Sequence, residues 1–296
     1  MATPPRHPER IVFLGTPEAA VPSLRALVDA GFDVPLVISR ADRRRGRRAA
    51  PTPSPVKAAA LDLGIEVSTC VDDVLSVGAD LGVVVAFGRI ISTSVLQSLP
   101  FLNVHFSLLP RWRGAAPVER AILAGDDETG VCIMGLEPSL DTGPVYSRRR
   151  MPIGTLTAAE LRSQLGTIGA DLLVSTLAVG LGQPEPQHGE ATFAAKIDAT
   201  TREIDWQLSA SEIERIVRVG GAWTSWRGKR LLVHVVNIVD ETDASTSEPG
   251  VLDAERVATA NGWLELVEVQ PEGKGRVSAG AWLNGARPGP EDRLGR

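Results

Sequence analysis

The stretch Ile11-Val-Phe-Leu14-Gly15-Thr16-Pro17-Glu18, near the amino terminus, determines how the fold begins. Its apolar run predicts a buried strand, and the threonine, proline and acid that follow are typical of the start of a helix. Apolar residues then recur at helical spacing up to Gly31, and a further apolar run at residues 34–38 predicts a second strand. The chain therefore opens as strand, helix and strand.

The same alternation of strands and helices continues to about residue 179. Strands with continuous apolar runs are typical of parallel sheets that helices cover on both faces. We therefore predict an α/β fold with a doubly wound, mostly parallel, Rossmann-like sheet. Further helices are predicted at residues 55–63, 92–98, 118–123 and 157–179, and further strands at 65–68, 81–87, 102–106 and 131–136.

A change of composition after residue 181 predicts a domain boundary. Residues 182–190 are rich in proline, glutamine, glycine and glutamate, which is typical of a connecting segment. One helical pattern and several short β-rich runs follow, as in a small OB-like β-barrel. The helix is predicted at 209–219, the β-rich runs at 230–239, 250–257 and 264–270, and the three parts as a catalytic domain at 1–181, a linker at 182–195 and a β-barrel domain at 196–296.

Length and composition suit a soluble protein of two domains. The chain has 296 residues, of which 43% are hydrophobic and 23% charged, so it has enough apolar material for packed cores. Its cysteines, Cys70 and Cys132, form no close pair, and neither a disulfide nor a structural zinc site is predicted. No run is long enough to cross a membrane, and none resembles a secretory signal. We expect a cytoplasmic protein.

A basic run stands out in a chain whose formal net charge is −5. It reads Arg40-Ala-Asp-Arg43-Arg-Arg-Gly-Arg-Arg48 and follows the second predicted strand. Ligands of doubly wound sheets bind beyond the carboxyl ends of the strands, so the run could meet the phosphates of a large substrate there. A solvated loop without a role is the alternative.

The rule about carboxyl ends also directs attention to the loops after Leu14, Phe87, Phe106 and Leu136. Asn103 and His105 lie just before one of them, and period-two geometry places both side chains on the same face of a strand. An amide and an imidazole on one face could form an oxyanion hole. The alternative is that Asn103 caps a turn and His105 is a buried histidine with satisfied hydrogen bonds.

Asp141 is the candidate acid, in the turn-rich segment Glu137-Pro-Ser-Leu-Asp141-Thr-Gly-Pro144. Its carboxylate could hold or protonate His105. The triplet Asp-Thr-Gly also occurs in aspartic proteases, but those enzymes need two such carboxylates and this chain has one such triplet. An aspartate that only stabilises its own turn remains the alternative.

Nucleotide and metal sites receive no support from the sequence. The segment beginning at Gly15 matches neither of the glycine-rich patterns that bind dinucleotides or ATP phosphates. The histidines at positions 7, 188 and 234 have no acid or cysteine at ligand spacing, so no metal is predicted.

Several motifs taken together resemble the methionyl-tRNA formyltransferase family, which belongs to the folate-dependent formyltransferases. The similarity covers nearly the whole chain. Asn-x-His and the distant aspartate are shared across the superfamily, whereas the carboxyl-terminal motifs are specific to the tRNA enzymes. The motifs are Gly15-Thr-Pro-Glu18, Pro53-Ser-Pro-Val-Lys57, Asn103-x-His105-x-Ser107-Leu-Leu-Pro110, Arg113-Gly-Ala-Ala-Pro117, Leu140-Asp-Thr-Gly143, Lys196-Ile197, Ile204-Asp-Trp206, Gly221-Ala-Trp-Thr224 and Val269-Gln-Pro-x-Gly-Lys274.

The resemblance implies a reaction and a set of site residues. The formyl group of 10-formyltetrahydrofolate would pass to the α-amine of methionine on initiator methionyl-tRNA, with Asn103, His105 and Asp141 as the catalytic residues. No metal takes part in the implied reaction. The residues implied to line the folate pocket are Phe87, Gly88, Arg89, Ile90, Ile91, Ser107, Leu108, Leu109 and Pro110.

By the same resemblance, the basic run would enter the acceptor stem of the tRNA, and the carboxyl-terminal domain would hold the outer side of that stem. Basic residues and tryptophans in that domain suit contact with nucleic acid. The residues implied to bind tRNA are Arg43, Arg44, Arg45, Arg47, Arg48, Arg215, Arg218, Lys229, Arg230 and Lys274.

Two other functions compete with the tRNA enzyme. A formyltransferase acting on an amino-sugar nucleotide would share the catalytic residues, but it would need neither the long basic run nor the tryptophan-rich domain. A relative that only binds tRNA or folate should have lost a catalytic residue, and all three are present. We expect a monomer, because nothing in the sequence requires an oligomer.

Overall fold

The computed structural model describes residues 1–44, 50–239 and 247–295. The chain divides into two compact units, which are described separately below. The first comprises Met1–Val118, Glu128–Ile153 and Glu160–Ala195, and the second comprises Glu119–Asp127, Gly154–Ala159 and Lys196–Arg296.

Helices and strands alternate along residues 1–195, as the sequence predicts. The first helix is preceded by a short 3-10 turn, Glu18–Ala20, so its α-helical part begins later than Thr16-Pro17 suggested. In chain order the elements are β1 (Ile11–Gly15), α1 (Val21–Asp29), β2 (Leu36–Ile38), β3 (Arg43–Arg44), β4 (Pro51–Thr52), α2 (Pro55–Asp62), β5 (Glu66–Ser68), β6 (Leu81–Val85), α3 (Thr93–Ser98), β7 (Phe101–His105), β8 (Arg113–Gly114), α4 (Pro117–Ala124), β9 (Glu128–Gly135), β10 (Val145–Pro152), α5 (Ala158–Val179) and β11 (Phe193–Ala194).

The first unit contains a seven-stranded sheet with the strand order β10-β9-β7-β6-β1-β2-β5. From β5 to β7 all neighbours are parallel. The chain proceeds from β1 to β2 and β5 on one side, and then returns to place β6 and β7 on the other side. This order confirms the predicted doubly wound, mostly parallel sheet.

The strands β9 and β10 are antiparallel to their neighbours, and this corrects one expectation. Leu102 at the start of β7 pairs with Gly135 at the end of β9, and His105 pairs with Cys132. The loop after β9 therefore begins near the amino end of β7, not near its carboxyl end. The sequence led us to group the loop after Leu136 with the loops that leave the carboxyl ends of parallel strands. That grouping was wrong, because an apolar pattern predicts a strand but not its direction.

The core of the first unit forms where the apolar strands meet the helices. The hydrophobic side chains of β1 are fully buried, as a strand covered on both faces requires. The helix α2 starts at a capped end, because Ser54 Oγ accepts a hydrogen bond of 3.0 Å from the Lys57 backbone N–H. The rigid sheet fixes the positions from which the site residues extend.

The second unit is built around an antiparallel sheet of six strands. Its path is β12-β13-β16-β15-β14, with β17 paired to β16. The sequence predicted the helix and the β-rich runs but not the strand before Arg227 or the last helix. The elements are α6 (Ala210–Val219), β12 (Trp223–Trp226), β13 (Lys229–Val239), β14 (Leu252–Asp253), β15 (Arg256–Ala258), β16 (Trp263–Pro271), β17 (Val277–Ser278) and α7 (Ala279–Ala286).

Local hydrogen bonds and aromatic packing hold the second unit together. The helix α6 begins with a capping box between Ser209 and Glu212, which satisfies backbone N–H groups at the helix start. The buried rings of Trp226 and Trp282 pack edge to face with their centroids 5.3 Å apart. The Arg227 guanidinium, hydrogen-bonded to Asp292, lowers the pKa of that carboxyl to about 2.

Candidate active site

Asn103 and His105 extend from β7, an inner strand of the sheet. Backbone pairing to β6 on one side and β9 on the other fixes this strand, with Asn103 opposite Val84 and Met134. The Asn103 side chain is half-buried and His105 is buried. Alternate residues of a strand share a face, so the amide and the imidazole extend from the same side of one fixed strand.

The His105 ring lies between two acceptors. Its Nε2 is 3.0 Å from the backbone carbonyl oxygen of Trp112, and its Nδ1 is 3.7 Å from Asp141 Oδ2. The first distance is a hydrogen bond, whereas the second is an ion-pair separation slightly too long for one. A ring protonated on both nitrogens can serve both acceptors.

Asp141 is held from more than one side. It is 7% exposed, and its backbone has a φ of 51°, a left-handed conformation that aspartate and asparagine adopt more readily than most residues. Its Oδ2 accepts a hydrogen bond of 2.8 Å from the Gly114 backbone N–H. The carboxylate therefore bridges the loop after β7 and the His105 ring, which an aspartate that stabilises only its own turn would not do.

The backbone on either side of Asp141 packs closely against other segments. A Cβ added to Gly143 would lie 1.9 Å from the Gly135 carbonyl oxygen. Gln187 donates through Nε2 to the carbonyl oxygens of Asp141 at 2.9 Å and Gly143 at 2.7 Å. Gln187 was not predicted as a site residue, because nothing in the sequence distinguishes it from the other polar residues of its segment.

We expect Gly143→Ala to destabilise the protein by about 1–3 kcal/mol, because the added methyl group collides with backbone rather than with a movable side chain. The displaced loop should also lower the catalytic rate. Thermal unfolding and activity measured together would check this. Gly182→Ala is the matched control, because its Cβ meets nothing within 4 Å. Wild-type stability of the Gly143 variant would contradict the close approach to Gly135.

On β9, the strand next to β7, Cys132 is a packing residue. It lies beside His105 in the sheet and is fully buried in a cluster with Leu109, Met134 and Val145. Burial raises the pKa of the Cys132 thiol, so the side chain is neutral at pH 7. The thiol therefore adds no charge to the site.

The residues expected to line a folate pocket differ in how they are placed. The side chains of Phe87 and Leu109 are buried in the core, and Ser107 Oγ is bonded at 2.6 Å to the Arg111 carbonyl oxygen. These residues can therefore offer a ligand mainly backbone groups. Ile90, by contrast, is 94% exposed.

The residues expected to contact tRNA in the first unit are described only in part. Arg43 and Arg44 are exposed and form β3, which pairs with β4. Arg45, Arg47 and Arg48 lie outside the described residues.

In the second unit the expected tRNA residues fall into two groups. Lys229, Arg230 and Lys274 are exposed, with the Arg230 guanidinium 4.4 Å from the centre of the Trp223 ring. Arg215 and Arg218 are half-buried. Arg218 donates to the carbonyl oxygens of Leu156 at 3.0 Å and Gly154 at 2.8 Å, so its guanidinium already holds backbone.

In the described parts of the chain, no group of three or more histidine, cysteine, aspartate and glutamate residues could hold a metal ion. Over the same residues, no helix is both long enough and apolar enough to span a bilayer.

Comparison with known proteins places the chain in a family. The formyl transferase family matches residues 9–177, and its carboxyl-terminal domain matches residues 196–287. Methionyl-tRNA formyltransferase of Ruegeria pomeroyi is 42% identical, with 93% of this chain and 97% of that protein covered.

Solved structures are similar in fold. An N-formyltransferase of Helicobacter canadensis, in complex with folinic acid and dTDP-3-aminofucose, has a TM-score of 0.66 at 16% identity, with 89% of this chain and 99% of that chain covered. HypX of Aquifex aeolicus, in complex with tetrahydrofolic acid, has a TM-score of 0.64 at 18% identity, with 96% of this chain covered. This chain spans 48% of the HypX chain.

The sheet, the site on β7 and both family matches define the class: the chain is a formyltransferase. Within that class it belongs to the methionyl-tRNA formyltransferase family, as the 42% identity over nearly the full length of both chains shows. The resemblance found in the sequence is thereby confirmed.

Proposed function

We propose that this enzyme transfers the formyl group of 10-formyltetrahydrofolate to the α-amine of the methionine on initiator methionyl-tRNA, for translation initiation. The observation that carries the chemistry is that Asn103 and His105 extend from one strand while the Asp141 carboxylate lies 3.7 Å from His105 Nδ1. When an amine attacks a formyl carbon, an amide donor and an imidazole can stabilise the oxyanion and an acid can help to move the proton.

In the proposed reaction the amine nitrogen attacks the formyl carbon, and the carbonyl oxygen becomes an oxyanion. The Asn103 amide N–H and the His105 ring donate to that oxygen. The bond between the formyl carbon and N10 of the folate then breaks, and the proton lost by the amine passes to N10. Asp141 holds His105 and helps to move this proton.

For His105 Nε2 to reach the oxyanion, its hydrogen bond to the Trp112 carbonyl oxygen must be exchanged or shared. Trp112 has a φ of 62°, a conformation that is rarely adopted by residues other than glycine, asparagine and aspartate. We propose that ligand binding shifts this carbonyl. Hydrogen bonds of catalytic groups in ligand-free sites commonly tighten only in the substrate complex.

We further propose that the folate pocket is formed by the loop at residues 87–91 and the backbone at 107–110. Gly88 has a positive φ, and its carbonyl oxygen accepts a hydrogen bond of 3.3 Å from Arg40 Nη2, which supports an ordered loop. Backbone polar groups beside the exposed apolar side chain of Ile90 suit a flat pterin ring.

We propose that residues 1–181 carry catalysis and residues 196–296 bind tRNA, in agreement with the two family matches at 9–177 and 196–287. In the second domain the exposed residues Lys229, Arg230 and Lys274 are the proposed phosphate contacts. Arg215 and Arg218 are also proposed tRNA contacts, and the Arg218 guanidinium in addition donates to the carbonyl oxygens of Leu156 and Gly154. Cytoplasmic location, a monomeric state and a reaction without metal stay predictions.

The function is tested by incubating the enzyme with 10-formyltetrahydrofolate that carries a labelled formyl group. The acceptors are initiator methionyl-tRNA, elongator methionyl-tRNA and an amino-sugar nucleotide. We expect label on the initiator tRNA. Label on the sugar nucleotide alone would keep the catalytic residues but overturn the proposed acceptor, and label on none of them would reject formyl transfer to these classes.

Replacing Arg43, Arg44 and Arg45 together by alanine should raise KM for the charged tRNA by roughly tenfold, because the variant no longer neutralises the same phosphates. KM for the folate should change little. The slope of log binding constant against log salt concentration should also become less steep by about one unit for each phosphate interaction removed. Arg148, Arg149 and Arg150, an exposed triplet in the same unit, provide a control with the same change in charge. Equal effects of both triple variants would contradict a specific role of the basic run.

A further inference from the structure

Residues 185–194, here called the closing segment, bond to both loops that carry the candidate site. The Trp112 backbone N–H donates to Thr192 Oγ1 at 2.9 Å, and β11 pairs with β8. At its other end, Glu185 and Val145 exchange two backbone hydrogen bonds of 2.8 Å. The closing segment lies within the stretch that the sequence predicted as a linker, yet in the first unit it joins the loop after β7 to the start of β10.

Gln187 makes the central connection of the closing segment. Its Nε2 donates to the carbonyl oxygens of Asp141 and Gly143, and its Oε1 accepts from Arg113 through Nε at 3.0 Å and Nη2 at 2.6 Å. An amide has two N–H donors and an oxygen with two lone pairs, so its hydrogen-bonding capacity is filled. A carboxylate could not make the two donations, and a hydroxyl is too short to span the same groups.

The hydrogen bonds of Gln187 connect to both segments that contact the His105–Asp141 pair. Arg113 lies between Trp112, whose carbonyl oxygen meets His105 Nε2, and Gly114, whose N–H holds Asp141 Oδ2. On the opposite side, Gln187 holds the backbone of Asp141 itself. One half-buried amide thus connects the two loops whose separation sets the distance between the ring and the carboxylate.

We propose that Gln187 is a positioning residue of this enzyme, which sets the separation of His105 and Asp141 by holding the Asp141 loop against Arg113. The inference rests on the catalytic role proposed above for Asp141. A displacement of a catalytic group by about 1 Å can cost on the order of 100-fold in rate, so an anchor of this kind acts on turnover more than on binding.

The test compares Gln187→Leu and Gln187→Glu with the wild-type enzyme and with Gln183→Leu, an exposed glutamine of the same stretch. For each full-length variant we would measure kcat, KM for the folate and the tRNA, and Tm. Gln187→Leu should lower kcat by roughly 10- to 100-fold with both KM values little changed. Gln183→Leu should behave as wild type.

Gln187→Glu separates positioning from simple stabilisation. The introduced carboxylate can still accept from Arg113, and so keeps that attachment, but it loses both donations and repels the two carbonyl oxygens. Its kcat at pH 8 should therefore fall as in the leucine variant. As the pH is lowered, the protonated carboxyl regains one donor, so the ratio of its kcat to wild type should rise.

A residue that only stabilises the fold would give a different result: a lower Tm, with a wild-type kcat in the folded fraction and a ratio independent of pH. That outcome overturns the positioning role. Asp141→Asn distinguishes the two proposals. An inactive Asp141 variant beside a fully active Gln187→Leu rejects this inference alone, whereas an active Asp141 variant rejects the catalytic proposal and this inference with it.

Discussion

Replacing Asp141 by asparagine is expected to lower kcat by about 10³- to 10⁴-fold while the protein remains folded. An asparagine carries no negative charge to stabilise a protonated His105 ring and cannot take part in moving the proton of the amine, and replacing an aspartate that supports a catalytic histidine causes losses of about this size. The asparagine oxygen can still accept from the Gly114 N–H, which bonds Asp141 Oδ2 at 2.8 Å. That oxygen position also lies 3.7 Å from His105 Nδ1, so the variant keeps the geometry of the site and loses the negative charge.

The fold should tolerate this change because asparagine has the same shape and also adopts left-handed backbone, as the φ of 51° at Asp141 requires. Single-turnover formyl transfer and thermal unfolding, measured on the same preparation, would check both halves of the prediction. A folded variant with kcat within a few-fold of wild type would show that Asp141 is not catalytic. A large loss of Tm would instead identify it as a structural residue.

Replacing Asn103 by alanine is expected to lower kcat by about 10²- to 10³-fold, or about 3–4 kcal/mol, because one donor to the oxyanion is removed. KM for both substrates should stay near wild type, since the charge on that oxygen develops only in the transition state. The backbone of β7 is held by pairing on both sides, with Asn103 opposite Val84 and Met134. The change should therefore leave the strand in place.

Asn103→Asp sharpens this test, because it keeps the size of the side chain and replaces the amide donor by a charged acceptor that repels the oxyanion. We expect a loss at least as large as with alanine. Asn237→Ala is a matched control in the second unit, where the asparagine is exposed and bonds Glu265 at 2.9 Å. If Asn103→Ala raised KM and left kcat unchanged, Asn103 would be a substrate-binding residue rather than an oxyanion donor.

Much of the first unit could be predicted from apolar periodicity. The strands β1, β2 and β6 are runs of apolar residues and glycine, and such runs report burial on both faces. The strand β10 could not be predicted. It lies at the edge of the sheet and carries the exposed triplet Arg148–Arg150, so only part of it is buried and its pattern resembles that of a loop.

The last helix of the second unit, α7, also went unpredicted. Its sequence, Ala-Gly-Ala-Trp-Leu-Asn-Gly-Ala, contains glycines that lower intrinsic helix propensity. Its start is capped by Ser278 Oγ, and Trp282 packs on Trp226. Tertiary packing outweighs local propensity here, which single-residue preferences cannot reveal.

The candidate site divides in the same way. By itself the sequence determined that Asn103 and His105 share a face, because the two-residue period of a strand is a local property of the backbone. It also determined the family, because the motifs extend along nearly the whole chain. Only the tertiary structure placed Asp141 beside His105. Because β9 is antiparallel to β7, the loop after β9 begins near the start of β7 and must return toward its carboxyl end to reach His105. The role of Gln187 likewise depends on bonds to residues 46 and 74 positions away, which no local pattern encodes.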